Sequence, residues 1–293
     1  MKLKVIFILI FSVVSTNALS EIVVTDDSGK KITFDKPVKR IISLAPHVAE
    51  LLFAAGADKQ VLGTVSFSDY PERAKKIPRI GSYKKVDKEK ILALQPELII
   101  YWKSGNPVDM INGIKDLGIP IFNNEPDEFE DVAESLRVLG KLLGTEHVAE
   151  VQANEYLKRL KSLRKKYSDK VGDNDKIRVF YQVWNQPLMT INKDHLVNDV
   201  IEFCGGVNVF ADMDNIAPTI DMESVMKKNP DVILAGMAKG REDWLSEWLR
   251  WEAIEAVKNN HVYAIDAGLI VRQTPRILDG AEKICEIFSK YKK

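Results

Sequence analysis

Four residues of this sequence have types and spacing that suggest a chemical role. They are two cysteines, Cys204 and Cys285, and two glutamates in equivalent positions, Glu89 and Glu223. The cysteines form no Cys-x-x-Cys motif and have no histidine at metal-ligand spacing, so they make a poor zinc site. An even pair of cysteines in an exported protein is instead typical of a disulfide. In the chain-entropy model, closing a loop of this size contributes about 4 to 5 kcal/mol.

Histidines and catalytic motifs give little support for an enzyme. The four histidines are scattered along the chain and show no metal-ligand spacing. His47, which follows a predicted strand, is an alternative ligand for haem iron. The chain contains no Gly-x-Ser-x-Gly elbow, Gly-x-Gly-x-x-Gly loop, P-loop or His-Glu-x-x-His motif. We therefore predict no catalytic residue and no metal site, and keep an exported enzyme as the competing class.

The two glutamates belong to an internal repeat that relates residues 86–100 to residues 220–234. Each copy reads as an aspartate N-cap, a short helix and a buried strand led by proline. The matched residues are all 134 positions apart, namely Asp87, Glu89 and Pro96 in the first copy and Asp221, Glu223 and Pro230 in the second. Either glutamate could simply stabilise a helix N-terminus, but their identical placement favours two duplicated lobes.

The elements around both copies alternate between strands and helices. Buried strands are predicted at 40–44, 98–101 and 119–122 in the first half, and at 177–181, 231–234 and 262–265 in the second. Such alternation predicts mainly parallel sheets covered by helices. Between Glu146 and about Lys170 the sequence has no Gly or Pro, and a helix of ~24 residues would extend about 36 Å. A helix of that length suits an element that lies across two lobes.

The N-terminus and the composition indicate an exported protein. Lys2 and Lys4 precede an apolar run from Val5 to Val14 and then small residues, which is the pattern of a secretory signal and is shorter than the ~20 residues of a membrane span. The 42 basic and 42 acidic residues balance, so no overall field attracts nucleic acid. We predict a signal peptide at 1–20, an N-terminal lobe at 21–143, a connecting helix at 144–170 and a C-terminal lobe at 171–293.

Several segments resemble the cluster-A (class III) periplasmic substrate-binding proteins of ABC importers, and among them the cobalamin-binding branch. The resemblance covers nearly all of the mature chain, and its markers are the segments 40–46, 68–71, 95–102, 203–210 and 274–276. It implies an α/β fold with two Rossmann-like lobes, mainly parallel sheets, a single long connecting helix and a ligand cleft between the lobes. It also implies a periplasmic monomer that hands cobalamin, as transported ligand and not as cofactor, to a permease dimer with its ATPase subunits.

Carried over position by position, the resemblance also implies roles for individual residues. The expected ligand contacts are Phe67, Tyr83, Trp102, Trp184 and Arg272. The family's two docking glutamates, which meet permease arginines, fall at Glu89 and Glu223, and its disulfide falls at Cys204 and Cys285. Tyr83 departs from the family pattern, in which a tryptophan is usual. The docking positions are the same two residues that the repeat equates.

The cleft chemistry can also be judged from the residue types. Cobalamin is large and nearly neutral and has a corrin ring edged by amides, so it needs broad apolar walls and a few hydrogen-bonding groups. Ferric siderophores are often anionic and call for several converging Arg or Lys, whereas the matched positions offer mainly Arg272. This favours cobalamin, with a ferric siderophore or haem as the alternative. Trp244, Trp248 and Trp251 have helical spacing and are predicted to be core.

Overall fold

The computed structural model describes residues 21–167, 176–237 and 243–291. The predicted signal peptide at 1–20 and residues 168–170 of the predicted connecting helix lie outside these ranges. Within them, no helix has both the length and the apolar character needed to cross a membrane.

The first lobe is built on a four-stranded parallel sheet with the strand order β4-β3-β7-β8. Two small antiparallel hairpins, β1–β2 and β5–β6, accompany this sheet. The strands are β1 (Ile22–Thr25), β2 (Lys31–Phe34), β3 (Ile41–Ser43), β4 (Val61–Gly63), β5 (Gly81–Ser82), β6 (Lys85–Val86), β7 (Leu98–Tyr101) and β8 (Ile121–Asn123). The central strands β3 and β7 are apolar and buried on both faces, as parallel sheets require.

Helices cover this sheet and connect its strands. They are α1 (Pro46–Ala54), α2 (Lys88–Ala93), α3 (Val108–Lys115) and α4 (Asp131–Leu143). Helix α1 begins with Pro46, whose fixed φ suits the first turn, shortly after the central strand β3. Helix α4 ends at Gly144, whose φ of 69° is left-handed and reverses the chain into the next helix.

The second lobe repeats the arrangement, with a parallel sheet in the order β10-β9-β11-β12. Helix α5 (Glu146–Tyr167) leads into it from the first lobe. Its strands are β9 (Ile177–Gln182), β10 (Gly206–Asn208), β11 (Val232–Met237) and β12 (Val262–Asp266). Its helices are α6 (Leu196–Phe203), α7 (Met222–Lys228), α8 (Asp243–Trp248), α9 (Glu255–Lys258), α10 (Ala267–Ile270) and α11 (Ile277–Tyr291).

The two lobes share a continuous apolar core along α5. Tyr156 and Leu160 of this helix are buried in one cluster with residues of both sheets. Phe129 of the first lobe packs on Phe203 of the second with 5.3 Å between ring centroids, and the Tyr156 hydroxyl donates to the Phe129 carbonyl at 2.8 Å. The lobes are therefore joined by buried packing as well as by the chain.

A disulfide joins Cys204, directly after α6, to Cys285 in α11, with a Cα–Cα distance of 4.7 Å. Both cysteines are buried in the apolar core. The pairing predicted from the even number of cysteines is therefore confirmed. The bond ties the last helix to the body of the second lobe.

Candidate functional site

Asn106 organises the site in the first lobe. Its side-chain amide donates to the carbonyls of Tyr83 at 2.8 Å and Leu44 at 3.1 Å, while its Oδ1 accepts from the Trp102 amide at 2.8 Å. The side chain is buried, so each of these bonds satisfies a group that water does not reach. One asparagine thus fixes the loops that carry the two predicted aromatic contacts Tyr83 and Trp102.

Trp102, which follows β7, is held from two further sides. A Cβ on Gly105 would overlap the six-membered ring of Trp102, so only glycine leaves room for the indole there. His47 of α1 meets Trp102 edge-on with 5.3 Å between ring centroids. Burial lowers the pKa of His47 to about 4, so the imidazole is neutral at physiological pH. The indole therefore rests on a rigid, uncharged support.

Phe67 and Arg272 meet across the two lobes. Phe67 follows β4, has a left-handed φ of 68° and is 66% exposed. Its carbonyl accepts from Arg272 Nη2 at 2.8 Å, and Arg272 comes from the segment after β12 and α10. Because this bond joins segments that follow strands of both sheets, the carboxyl edges of the two sheets face each other across the cleft.

Glu50 of α1 is the buried counter-charge of the interface between the lobes. Only 2% of its side chain is exposed, and it accepts from Thr274 Oγ1 at 2.6 Å and from Arg276 Nε and Nη2 at 2.7 and 2.8 Å. Arg272 Nη1 lies 3.6 Å from the same carboxylate. The Arg276 guanidinium also stacks 3.7 Å from the ring centroid of Tyr70. A single carboxylate thus pairs with two arginines of the opposite lobe and balances one of their two charges.

Trp184 supplies an exposed aromatic in the second lobe. It follows β9, and its indole nitrogen donates to the Gln186 carbonyl at 3.0 Å. Trp244 packs edge-on against it with 5.3 Å between ring centroids. Of the predicted tryptophan stripe, Trp248 is 2% exposed, with its Nε1 bonded to Gln182, and Trp244 is 9% exposed. The prediction of a core role is confirmed for these two, and Trp244 supports Trp184 as well.

The two repeated helices are equivalent in the structure. Asp87 caps α2 by accepting from the Lys90 amide, and Asp221 caps α7 by accepting from the Ser224 amide. Glu89 and Glu223 lie in the first turns of these helices with exposed side chains. No ion pair within the described residues involves either carboxylate. Both glutamates are therefore available to a partner.

An arginine fixes the far end of each of these helices. The Arg40 guanidinium donates to the carbonyls of Leu94 at 2.5 Å and Gln95 at 2.8 Å. Arg178 donates to the Lys228 carbonyl, which is the repeat equivalent of the Leu94 carbonyl. These bonds satisfy carbonyls that a helix end leaves without partners. The two helices are thus anchored in the same way.

Sequence reasoning missed Asn106, Gly105, Glu50 and the support that His47 gives to Trp102. Asn106 and Gly105 lie close to Trp102 in sequence, and a glycine and an asparagine together in the loop that follows a strand are the signal that could have drawn attention to them. Glu50 gave no signal, because its partners lie more than 220 residues away. Within residues 21–167, 176–237 and 243–291, no group of three or more His, Cys, Asp or Glu is arranged to hold a metal ion.

Comparison with known sequences places this geometry in context. The sequence model of the family described as "Periplasmic binding protein" matches residues 41–269. The vitamin B12-binding protein of Vibrio cholerae serotype O1 is 35% identical over 253 residues, which cover 85% of this chain and 88% of the relative. The vitamin B12-binding protein of Vibrio parahaemolyticus is 32% identical over 260 residues, covering 88% and 92%.

Solved structures of similar proteins have the same fold. The crystal structure of the periplasmic vitamin B12 binding protein BtuF of Vibrio cholerae matches with a TM-score of 0.81 and 33% identity, covering 88% of this chain and 99% of that one. The periplasmic heme-binding protein RhuT from Roseiflexus matches with a TM-score of 0.76 at 23% identity, covering 87% and 100%. At that identity the second likeness shows the fold alone, with two α/β lobes as predicted.

Proposed function

The chain belongs to the periplasmic binding protein family, and we propose that it captures cobalamin, or a related corrinoid, between its two lobes and delivers it to an ABC permease. The ligand is bound and released unchanged, so the protein makes and breaks no bond. The signal peptide at 1–20 directs the chain to the periplasm, where it acts as a monomer. The relatives named as vitamin B12-binding proteins, at 32 to 35% identity over most of the chain, support this ligand.

Exposed and half-buried aromatic rings support a ligand with a broad, largely apolar surface. Phe67, Tyr83 and Trp102 lie at the carboxyl edge of the first sheet, and Trp184 lies at that of the second. Rings of this size provide large contact areas at little cost in conformational entropy. Polar groups at the edges of the cleft would then hydrogen-bond the amides around the corrin.

The observation that carries the proposal is that the cleft arginines already contact acceptors of the protein. Arg272 and Arg276 share the carboxylate of Glu50, and Arg272 also donates to the Phe67 carbonyl. Both guanidiniums already contact acceptors of the protein, and Arg272 is the one cation among the predicted ligand contacts, whereas an anionic ferric siderophore calls for several converging cations. His47 is buried beside Trp102, so its imidazole does not reach an iron atom in the cleft. A nearly neutral ligand fits this arrangement best.

Delivery relies on the duplicated helices α2 and α7. Each presents one exposed carboxylate, Glu89 or Glu223, from the same position of the repeat. A monomer with two equivalent acidic positions can engage both subunits of a two-fold permease dimer. Arginines on the permease are the complementary groups.

Calorimetric titration of the mature, disulfide-bonded protein tests the ligand. Cyanocobalamin is the first titrant, and haem and a ferric siderophore are run in parallel. We expect one-to-one binding of cyanocobalamin alone, and analysis of the released ligand should return it unchanged. Binding of an iron chelate without cyanocobalamin would keep the transport role and reject the ligand, whereas a modified product would support an enzyme.

A substitution in the aromatic wall tests the site. Trp102→Ala should weaken cyanocobalamin binding by more than tenfold, which is about 1.4 kcal/mol. Val108→Ala is the matched control, because Val108 lies in the same lobe, is apolar and is 71% exposed. The control should bind like the unaltered protein. Equal dissociation constants for both variants would remove Trp102 from the site.

A further inference from the structure

Each docking helix exposes an apolar side chain as well as a carboxylate. Leu92 of α2 is 50% exposed and Met226 of α7 is 40% exposed. They are equivalent in the repeat, 134 positions apart, and each lies three residues after the glutamate of its helix. Residues three apart are neighbours on one helix face. The same pair of an acid and an aliphatic side chain is thus displayed twice.

The fold does not need these two apolar side chains. The residue before each one, Ile91 or Val225, is fully buried and anchors its helix to the lobe. The helix caps and the arginines at the far ends complete that anchoring. Leu92 and Met226 are largely exposed instead. A single exposed leucine would need no explanation, but a matched pair beside matched glutamates does.

We propose, on the basis of the proposed function, that Leu92 and Met226 are the apolar contacts of the two docking helices, α2 and α7, with the permease dimer. Each inserts into an apolar recess beside the cation that receives Glu89 or Glu223, one recess on each permease subunit. Apolar contact at such a point excludes water and strengthens the neighbouring ion pair. The two-fold symmetry of the partner is matched by the repeat of this chain.

Anchoring of the helices makes this contact specific. The Asp87 and Asp221 caps hold one end of each helix, and Arg40 and Arg178 hold the other. The glutamate and the aliphatic side chain are therefore presented in a fixed arrangement before the permease is met. A preorganised surface loses less entropy on binding than a mobile one.

Stimulation of the permease ATPase tests the proposal. The ABC permease complex of the same organism is reconstituted in phospholipid vesicles, and cyanocobalamin-loaded protein is added at increasing concentration. The Leu92→Ala/Met226→Ala double variant should require about tenfold more protein for half-maximal stimulation, with cyanocobalamin affinity unchanged. The two single variants should show equal, smaller shifts. An unchanged half-maximal concentration for the double variant would overturn the proposal.

Two controls separate the possible failures. Val108→Ala/Leu249→Ala removes one exposed aliphatic side chain from each lobe outside the docking helices and should behave like the unaltered protein. Glu89→Gln/Glu223→Gln should lose stimulation of the ATPase, and the difference from the unaltered protein should depend on salt. The difference caused by Leu92→Ala/Met226→Ala should persist at high salt. If only Glu89→Gln/Glu223→Gln reduces stimulation, the proposed apolar contact is overturned and the docking glutamates stand. If both double variants stimulate the ATPase normally, the assignment of the docking helices is rejected. If the unaltered protein does not bind cyanocobalamin, the proposed ligand is rejected.

Discussion

Replacing Glu50 by glutamine removes the one charge that two arginines of the opposite lobe share. The side chain keeps its size, so packing is preserved and the effect is electrostatic. Glutamine can still accept from Thr274, but its amide hydrogens oppose the guanidinium of Arg276. Arg276 and Arg272, with 19% and 17% of their side chains exposed, then keep charges that water only partly reaches.

The expected loss of stability follows from these contacts. Removing one partner of a buried ion pair costs about 3 to 5 kcal/mol, because the other charge is left uncompensated. Arg276 lies at the edge of the interface and can turn partly towards water, which places the expected loss at the lower end, about 3 kcal/mol. For a chain of this size that corresponds to a fall of roughly 6 to 12 °C in the melting temperature.

Thermal and urea unfolding of the disulfide-bonded protein measure this loss. The matched control is Glu150→Gln, because Glu150 also accepts two bonds from one arginine, Arg137, but is half exposed. An exposed pair of this kind contributes less than about 1 kcal/mol. A similar change in melting temperature for both variants would refute the view that Glu50 stabilises the interface through buried charge.

Two further predictions concern the support of the cleft and the effect of pH. Gly105→Ala should displace the indole of Trp102 and lower cyanocobalamin affinity in calorimetry, while Gly113→Ala, where the added methyl meets only a flexible lysine tip, should bind normally. His195 accepts from the Val197 amide at the start of α6, and burial lowers its pKa to about 4, from 6.5 when exposed. The neutral imidazole therefore makes its full contribution to the free energy of unfolding above pH 6.5. This contribution falls by about 3 kcal/mol as the pH drops to 4, because the unfolded chain takes up the proton first. His195→Asn keeps an acceptor that does not titrate, so the free energy of unfolding, measured with urea, should fall less between pH 7 and pH 4 in this variant than in the unaltered protein. An equal fall in the two proteins would contradict this assignment.

Local patterns in the sequence predicted much of the fold. The repeat predicted an aspartate cap, a short helix and a buried strand in both halves, and all three occur at equivalent positions. The strand predicted at 119–122 lies instead at Ile121–Asn123, because Pro120 has no amide hydrogen to donate to a sheet ladder. Short-range rules of this kind act over a few residues and can therefore be applied to a sequence.

The candidate site was less predictable, because long-range contacts hold it together. Glu50 meets Arg276 across 226 residues, and Phe67 meets Arg272 across 205. Nothing near Glu50 in the sequence distinguishes a buried counter-charge from a solvated surface carboxylate. The aromatic positions were expected from a resemblance to a family. Their supports, such as Asn106, follow only from the folded arrangement.

The apolar cluster that runs from one sheet to the other through α5 has a consequence for how the chain folds. A lobe expressed alone would expose the faces that Phe129, Phe203 and Tyr156 bury together. Neither half is therefore a self-sufficient cooperative unit, and unfolding should occur as one transition, without a separate melt for each lobe. During synthesis the first lobe would expose this apolar face until the second lobe emerges, so the two halves complete their folding together.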